Sequence, residues 1–186
     1  MAIERYIGGG KIFFSKYNGT TYDAEVEIGE IQSATLKVDT TEADAFSKDT
    51  GISKKVDKVV TKVDSSLSFT TQNVSKENMA MAMFGSNTTE NFLAGDTLPD
   101  GTVATADVSI PVILGAENTI IEGSLKFVGV NTTNGANPVL VIKHAYIKPS
   151  GDVRDYFADK HATLAFTGEI AEVNGEYFKE YFMPKA

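Results

Sequence analysis

Val63-Asp-Ser-Ser-Leu-Ser-Phe-Thr-Thr71 is the stretch that decides the fold. A strand repeats every two residues, so Val63, Leu67 and Phe69 fall on one face and Asp64, Ser66, Ser68 and Thr70 on the other. Upstream, Ser33-Ala-Thr-Leu-Lys-Val-Asp39 shows the same pattern, with Ala34, Leu36 and Val38 expected inward and Thr35, Lys37 and Asp39 outward. Each of these strands carries one unusually polar face. Residues 40–62 between them are too long for a tight turn. They set Lys48, Lys54, Lys55, Lys58 and Lys62 beside Asp44, Asp49 and Asp57, while Phe46, Ile52, Val56, Val59 and Val60 argue against pure disorder. Two readings stay open: a solvated loop, or a segment part of which extends the flanking strands into a protruding hairpin.

Working outward, most of the remaining chain also reads as strand. Residues 11–17 are β-rich and end at Asn18-Gly19, a hairpin signal because both residues tolerate positive φ. Ala24-Glu-Val-Glu-Ile28 alternates, with Val26 and Ile28 expected on one face. Further strands are expected at 103–110, 119–130, 138–147, 162–170 and 177–183, separated by Gly115, Asn134-Gly135, Ser150-Gly151 and Asn174-Gly175. One helix is indicated after Ser75, an N-cap residue. Glu77 complements its dipole, Met79, Ala80, Met83 and Phe84 share a face, and Gly85 suits a left-handed C-terminal position. Residues 86–101 read as a polar connection, and 152–160 as short helical turns. The fold class is therefore mainly β: two packed antiparallel β-sheets, as a sandwich or barrel, with one flanking α-helix and a long protruding loop. A single domain is expected over residues 1–186, with an N-terminal arm at 1–10 and the loop at 40–62.

Composition narrows the function. A chain of 186 residues hides roughly 70% of its extended surface on folding, enough for a real core. With 42% hydrophobic and 23% charged residues it is neither collagen-like, coiled-coil nor wholly disordered. A net charge of −8 disfavours a protein that grips phosphate backbones over its whole surface. The absence of cysteine excludes disulfides, thiolate metal sites and cysteine nucleophiles. Apolar runs such as 79–84 and 110–114 fall far short of the roughly 20 residues a bilayer helix needs, so no membrane association is expected. The first residues lack the basic and apolar regions of a secretory signal, so the chain is expected to stay in the cytoplasm that makes it. The sequons at Asn18, Asn73, Asn87 and Asn131 then read as turn chemistry.

Catalytic patterns are sparse, and no enzyme activity or cofactor is expected. His144 is read as sharing a strand face with Ile142 and Tyr146, and His161 sits in a charged turn; both read as core or surface histidines and not as bases. Gly8-Gly9-Gly10 precedes a strand instead of opening a helix, which excludes a phosphate loop and suggests a hinge after the N-terminal arm. Asp152, Asp155 and Asp159 invite a metal test, but their spacing misses the alternating ligands of a calcium loop, and Arg154 and Lys160 lie among them. A solvated turn is the better reading, and no metal site is assigned. The lysines at 48–62 alternate with acids and lack aromatics, which suits a self-complementary protein contact better than nucleic acid.

Taken in order, the features resemble phage major tail tube proteins. The likeness is carried by the early Gly10-Lys-Ile-Phe-Phe14 strand, Ile31-Gln-Ser-Ala-Thr-Leu-Lys-Val38, the long charged segment, and Lys58-Val-Val-Thr-Lys-Val-Asp-Ser-Ser-Leu-Ser-Phe-Thr-Thr71. It continues through the helix Ser75-Lys-Glu-Asn-Met-Ala-Met-Ala-Met-Phe-Gly85 and the block Ala145-Tyr-Ile-Lys-Pro-Ser-Gly151. The resemblance covers nearly the whole chain, although no single motif is diagnostic.

It implies a virion structural protein that assembles into hexameric rings stacked as a tail tube, the conduit for DNA ejection into the host cell. Inner sheets of six subunits would join into a β-lined channel, and the long segment would reach the adjacent ring. On this reading Asp44, Phe46, Lys48, Asp49, Ile52, Lys54, Lys55, Val56, Asp57 and Lys58 form the inter-ring or inter-subunit contact. The polar faces of the two flanking strands place Thr35, Lys37, Asp39, Asp64, Ser66, Ser68 and Thr70 toward the channel. Lys37 is tolerable there only with Asp39 or Asp64 alongside, and an acidic subunit lets DNA slide without specific binding. Implied partners are other copies of the chain and tail proteins such as the tape measure, tail terminator and distal tail or baseplate proteins. The implied location is the virion tail, assembled in the host bacterial cytoplasm. Two rivals remain: a carbohydrate- or receptor-binding β-sandwich module using Tyr17, Tyr22 and Tyr156, and a hydrolase of unrecognised type.

Overall fold

In the computed structural model, residues 8–49, 51–131, 133, 135–153 and 161–185 are described. The period-two alternation is realised along most of the chain. Strands β1 (Gly8–Lys16), β2 (Val26–Glu27), β3 (Ile31–Ser47) and β4 (Lys54–Thr71) come first. Helix α1 (Lys76–Ala82) follows, then β5 (Ser86–Phe92), β6 (Val108–Leu114), β7 (Ile121–Asn131), β8 (Asn137–Pro149), β9 (Leu164–Ile170) and β10 (Lys179–Met183). Among the described residues the architecture is mainly β, with two antiparallel sheets and a single helix. The large sheet has the order β2-β1-β7-β8-β9-β4-β3, and β10 pairs with the end of β8 that β9 leaves free; β5 and β6 form the second sheet, a two-stranded hairpin.

A sheet this wide twists and coils, which brings β1 near β3 and encloses the core on its concave side. Ile12, Leu67, Phe69, Leu125, Ile142, Ala145, Ile147, Leu164 and Phe166 fill that core. The Phe69 and Phe166 rings stack at 5.3 Å between centroids. Helix α1 closes one side, contributing Met79, Met81 and Ala82. Its entry is fixed by a polar knot: Asn78 Nδ2 donates to the Ile28 and Asn73 carbonyls at 2.7 Å each, and Thr71 Oγ1 donates to the Glu30 carbonyl at 3.0 Å. Among the described residues no buried side-chain nitrogen or oxygen lacks a partner, as expected of a native interior.

Several expectations need correction. Gly8-Gly9-Gly10 is not a hinge but the start of β1, paired with β7 from Gly8–Asn131 to Gly10–Gly129. A Cβ at Gly8 would run into the Val130 carbonyl and one at Gly10 into the Phe127 ring, so close approach accounts for Gly8 and Gly10, while a Cβ at Gly9 would meet open space. The part of the expected N-terminal arm at 1–7 lies outside the described residues. The helix ends with Phe84, not Gly85, in the left-handed region (φ 50). Gly85 N–H donates to the Ala80 carbonyl and Phe84 N–H to Met81, the paired bonds of a Schellman motif. Gly85 is needed because a Cβ there would strike the Leu114 carbonyl.

Residues 86–92, read as connection, are strand β5; their polarity hid a hairpin whose partner, β6, starts five residues later than expected, at Val108. Val26 and Ile28 do not share an environment: Ile28 is buried while Val26 is half exposed on the two-residue edge strand β2. Ile142 and His144 part company because β8 bulges between its pairings Leu125–Ile142 and Gly123–Ala145. The extra residue puts Ile142 in the core and turns His144 with Tyr146 to the opposite face. Asp155 and Asp159 of the metal test, Tyr156 and most of 152–160 lie outside the described residues; Asp152 and His161 are exposed.

Candidate assembly surfaces

Residues 40–62 are not an irregular loop. β3 and β4 pair over their full lengths, from Ile31–Thr71 to Ser47–Lys54, with bulges near Thr41 and Ala45 that strengthen the twist. Because β9 accompanies β4 only over Ser65–Thr71, everything beyond stands free as a two-stranded arm, roughly 30 Å long at about 3.3 Å per residue. Several of its charges pair within the arm: Lys58 with Glu42 at 2.5 Å, Lys62 with Asp64, and Lys55 with Asp44. Asp57 accepts from the Lys58 N–H, Lys54 opens β4 opposite Ser47, and Lys48 and Asp49 lie in the turn with Asp49 N–H donating to Ser47 Oγ. The apolar residues are left over. Phe46 is 60% exposed and Ile52 69%, with Val56, Val59 and Val60 also exposed. Val38 (51%) and Val63 join them, and Ala34 is exposed as well. Those three were expected inward, but Ala34 and Val38 lie on the edge strand β3, which overhangs the core, and Val63 lies on β4 beyond its pairing with β9; of Ala34, Leu36 and Val38, Leu36 alone is half buried.

The seven polar candidates do share one face. The register sets Thr35 opposite Ser68, Lys37 opposite Ser66 and Asp39 opposite Asp64, and the other side of β4 buries Ser65, Leu67, Phe69 and Thr71. Asp39 facing Asp64 would be destabilising alone. Lys37 closes on Asp39 at 2.7 Å and Lys62 on Asp64 at 2.8 Å. The hydrogen bond to Asp64 and its negative charge raise the Lys62 pKa above the ordinary lysine value. Ser66 faces Glu169 of β9, which pairs in turn with Lys148 of β8, and Ser68 Oγ lies 3.3 Å from Thr167 Oγ1. Each of the three ammonium groups on this stretch therefore has its own carboxylate.

Two features escaped the sequence reading. On the same side of the sheet, His144 bonds Tyr22 through Nδ1 at 2.9 Å and Glu122 through Nε2 at 3.2 Å, with Tyr17 and Tyr146 edge-on to its ring. Burial, followed by the charges of Tyr17 and Glu122, raises the Tyr22 pKa above 10.0. Tyr17 and Tyr22 face each other across the bridge that follows β1, Glu122 comes from β7, and His144 and Tyr146 from β8, so only the bulge in β8 could have signalled the cluster. The second feature is a cleft of about 520 Å³ among β1, β3, β7, β8 and β10. Among the described residues no group of three or more His, Asp or Glu is placed to hold a metal, and no helix is long and apolar enough to cross a membrane.

The family described as "Protein of unknown function UCP028589" matches residues 5–111, more than half of the chain. The chain belongs to that family. The match takes in β1 to β5, and with them the whole arm and the polar face of β3 and β4. No curated protein matches the chain.

Proposed function

We propose that this chain is the subunit of a phage tail tube, a virion structural protein that assembles into hexameric rings stacked around a channel for DNA ejection. The observation that carries this reading is the arm. A lone two-stranded ribbon is marginal in water, yet this one projects beyond its sheet with three of its lysines paired internally and its apolar side chains exposed. Such a surface calls for a protein partner, and a head-to-tail contact between copies makes rings when it closes and filaments when it does not.

The polar face of β3, β4, β9 and β8 suits a channel wall. Duplex DNA carries one charge per about 1.7 Å, so an uncompensated cationic lining would hold it. Here each lysine stands against a carboxylate, and DNA passes without specific binding. The wall is closer to neutral than the net charge of −8 suggests. The mechanism needs no cofactor and no chemical step. Partners are other copies along and around the tube, and tail proteins at its ends and in its lumen, all within the virion tail after assembly in the host bacterial cytoplasm. Electron microscopy of the purified full-length chain over a concentration series tests the reading. Rings or tubes support it; a monomer at every concentration that also fails to join tubes with partner tail proteins overturns it. The tyrosines around His144 favour a second reading, a carbohydrate- or receptor-binding module, which predicts glycan binding by a small soluble oligomer.

A further inference from the structure

We propose that the cleft among β1, β3, β7, β8 and β10 is the socket for the arm tip of the next copy of this chain. The inference rests on the self-assembly reading above and specifies its axial contact. The cleft is lined by Ile31, Ala34 and Leu36 of β3, Phe127 of β7, Pro138 of β8 and Phe182 of β10, and holds about 520 Å³. Side chains are absent where the glycines of β1 line it, and Phe182 is 70% exposed at its edge. This is an apolar surface that a soluble chain does not leave open without a use. The arm tip offers the complement, Phe46 and Ile52, the one next to the end of β3 and the other in the turn to β4.

Charge matches as well. Lys55, Lys58 and Lys62 of the arm are each paired within it, whereas Lys48 at the tip has no ion-pair partner among the described residues. Glu180, which lines the cleft, has none either. Seating the tip brings an unpaired ammonium toward an unpaired carboxylate.

Topology gives the direction. β3 begins at the cleft with Ile31 and ends at the tip with Ser47, so socket and plug lie at opposite ends of one hairpin. Their contact is head-to-tail and leaves a free socket and a free plug after every addition, the condition for an open filament. The run from Ala34 to Phe46 sets the axial repeat on the order of 40 Å at about 3.3 Å per residue.

The chain has no cysteine, so a pair of introduced thiols reports the contact directly. Full-length chain carrying both Ile52→Cys and Phe182→Cys, oxidised after assembly, should run as a ladder of covalent multimers that collapses on reduction, while each single variant stops at dimer. A charge swap is the second measurement: Lys48→Glu should raise the concentration needed for elongation by roughly 3- to 10-fold, and adding Glu180→Lys should restore it. Ile52→Asp should raise it by at least about 10-fold through lost apolar burial. Stacked particles at the parent concentration with neither ladder nor rescue would overturn the socket and leave tube formation standing, with another occupant for the cleft. A chain that never forms particles would overturn both.

Discussion

Replacing Asn78 by aspartate changes almost no volume and reverses the hydrogen-bond logic beneath the helix. Asn78 is 5% exposed, and its Nδ2 bridges the Ile28 and Asn73 carbonyls. An ionised carboxylate only accepts, so Asn78→Asp sets negative oxygen against two carbonyl oxygens. Two hydrogen bonds worth about 1 kcal/mol each are lost, and the unpaired buried groups add about 1–3 kcal/mol more. The position lies in the first turn of α1, where the helix dipole returns at most about 1 kcal/mol. The net loss is about 3 kcal/mol, a large share of the roughly 5–15 kcal/mol that holds a domain together.

The loss depends on pH. Burial and the facing carbonyls raise the new carboxyl's folded-state pKa above the roughly 3.9 of an unfolded chain. For an acid whose folded pKa is raised, the deficit is smallest below the unfolded pKa, where the protonated group can still donate one hydrogen bond. It grows as pH rises between the two pKa values and is constant above the folded one. Urea unfolding of the parent, Asn78→Asp and Asn78→Ala at pH 4 and pH 7, followed by circular dichroism, separates the contributions. Asn78→Ala should lose about 2–3 kcal/mol at both pH values, while Asn78→Asp should recover part of its deficit at pH 4. Parent-like stability of Asn78→Asp at pH 7, or identical pH dependence of the two variants, would refute the reasoning.

Exchanging residues 44–58 for a short Gly/Ser linker should leave a folded subunit with parent-like circular dichroism that no longer elongates in electron micrographs, since β4 keeps its pairing with β9. Ser66→Lys with Ser68→Lys should spare assembly, because neither side chain reaches the core, and should make tubes retain DNA in a salt-dependent way on a filter-binding assay. Glu176 accepts from Lys179 at 2.9 Å and Lys143 at 3.0 Å, which holds its carboxyl below the usual range. Its small stabilising effect is present above the unfolded pKa and lost as pH falls through the folded one. Glu176→Gln should therefore be slightly less stable than the parent at neutral pH and indistinguishable in acid on thermal melts. Gly85→Ala should destabilise by about 1–3 kcal/mol, measured by the same urea titration, because its methyl meets the β6 backbone at Leu114 and neither can move without shifting a strand.

Alternation by itself determined the β class and which face of β4 is buried, since period two is a local property that Leu67 and Phe69 express against Ser66 and Ser68 wherever the strand packs. The cap at Ser75 was equally local, its hydroxyl accepting from the Asn78 N–H three residues on. Partners far along the chain decided the rest. Ala34 and Val38 alternate as faithfully as Leu67, yet they stay exposed because nothing in the next layer lies over an edge strand. One additional residue in β8 sends His144 away from Ile142 and toward Tyr17 and Tyr22, which follow β1. The polar run of β5 becomes strand because β6 supplies backbone partners, and hydrogen bonding between backbones is blind to side-chain hydropathy. Residues 40–62 carried the composition of an interaction surface, but their shape as an arm follows from where β9 stops, and the cleft exists because the coil of the large sheet brings β1 back to β3. Side-chain periodicity is written in neighbours along the chain, whereas edges, bulges and clefts are set by which strands end first when the sheet closes.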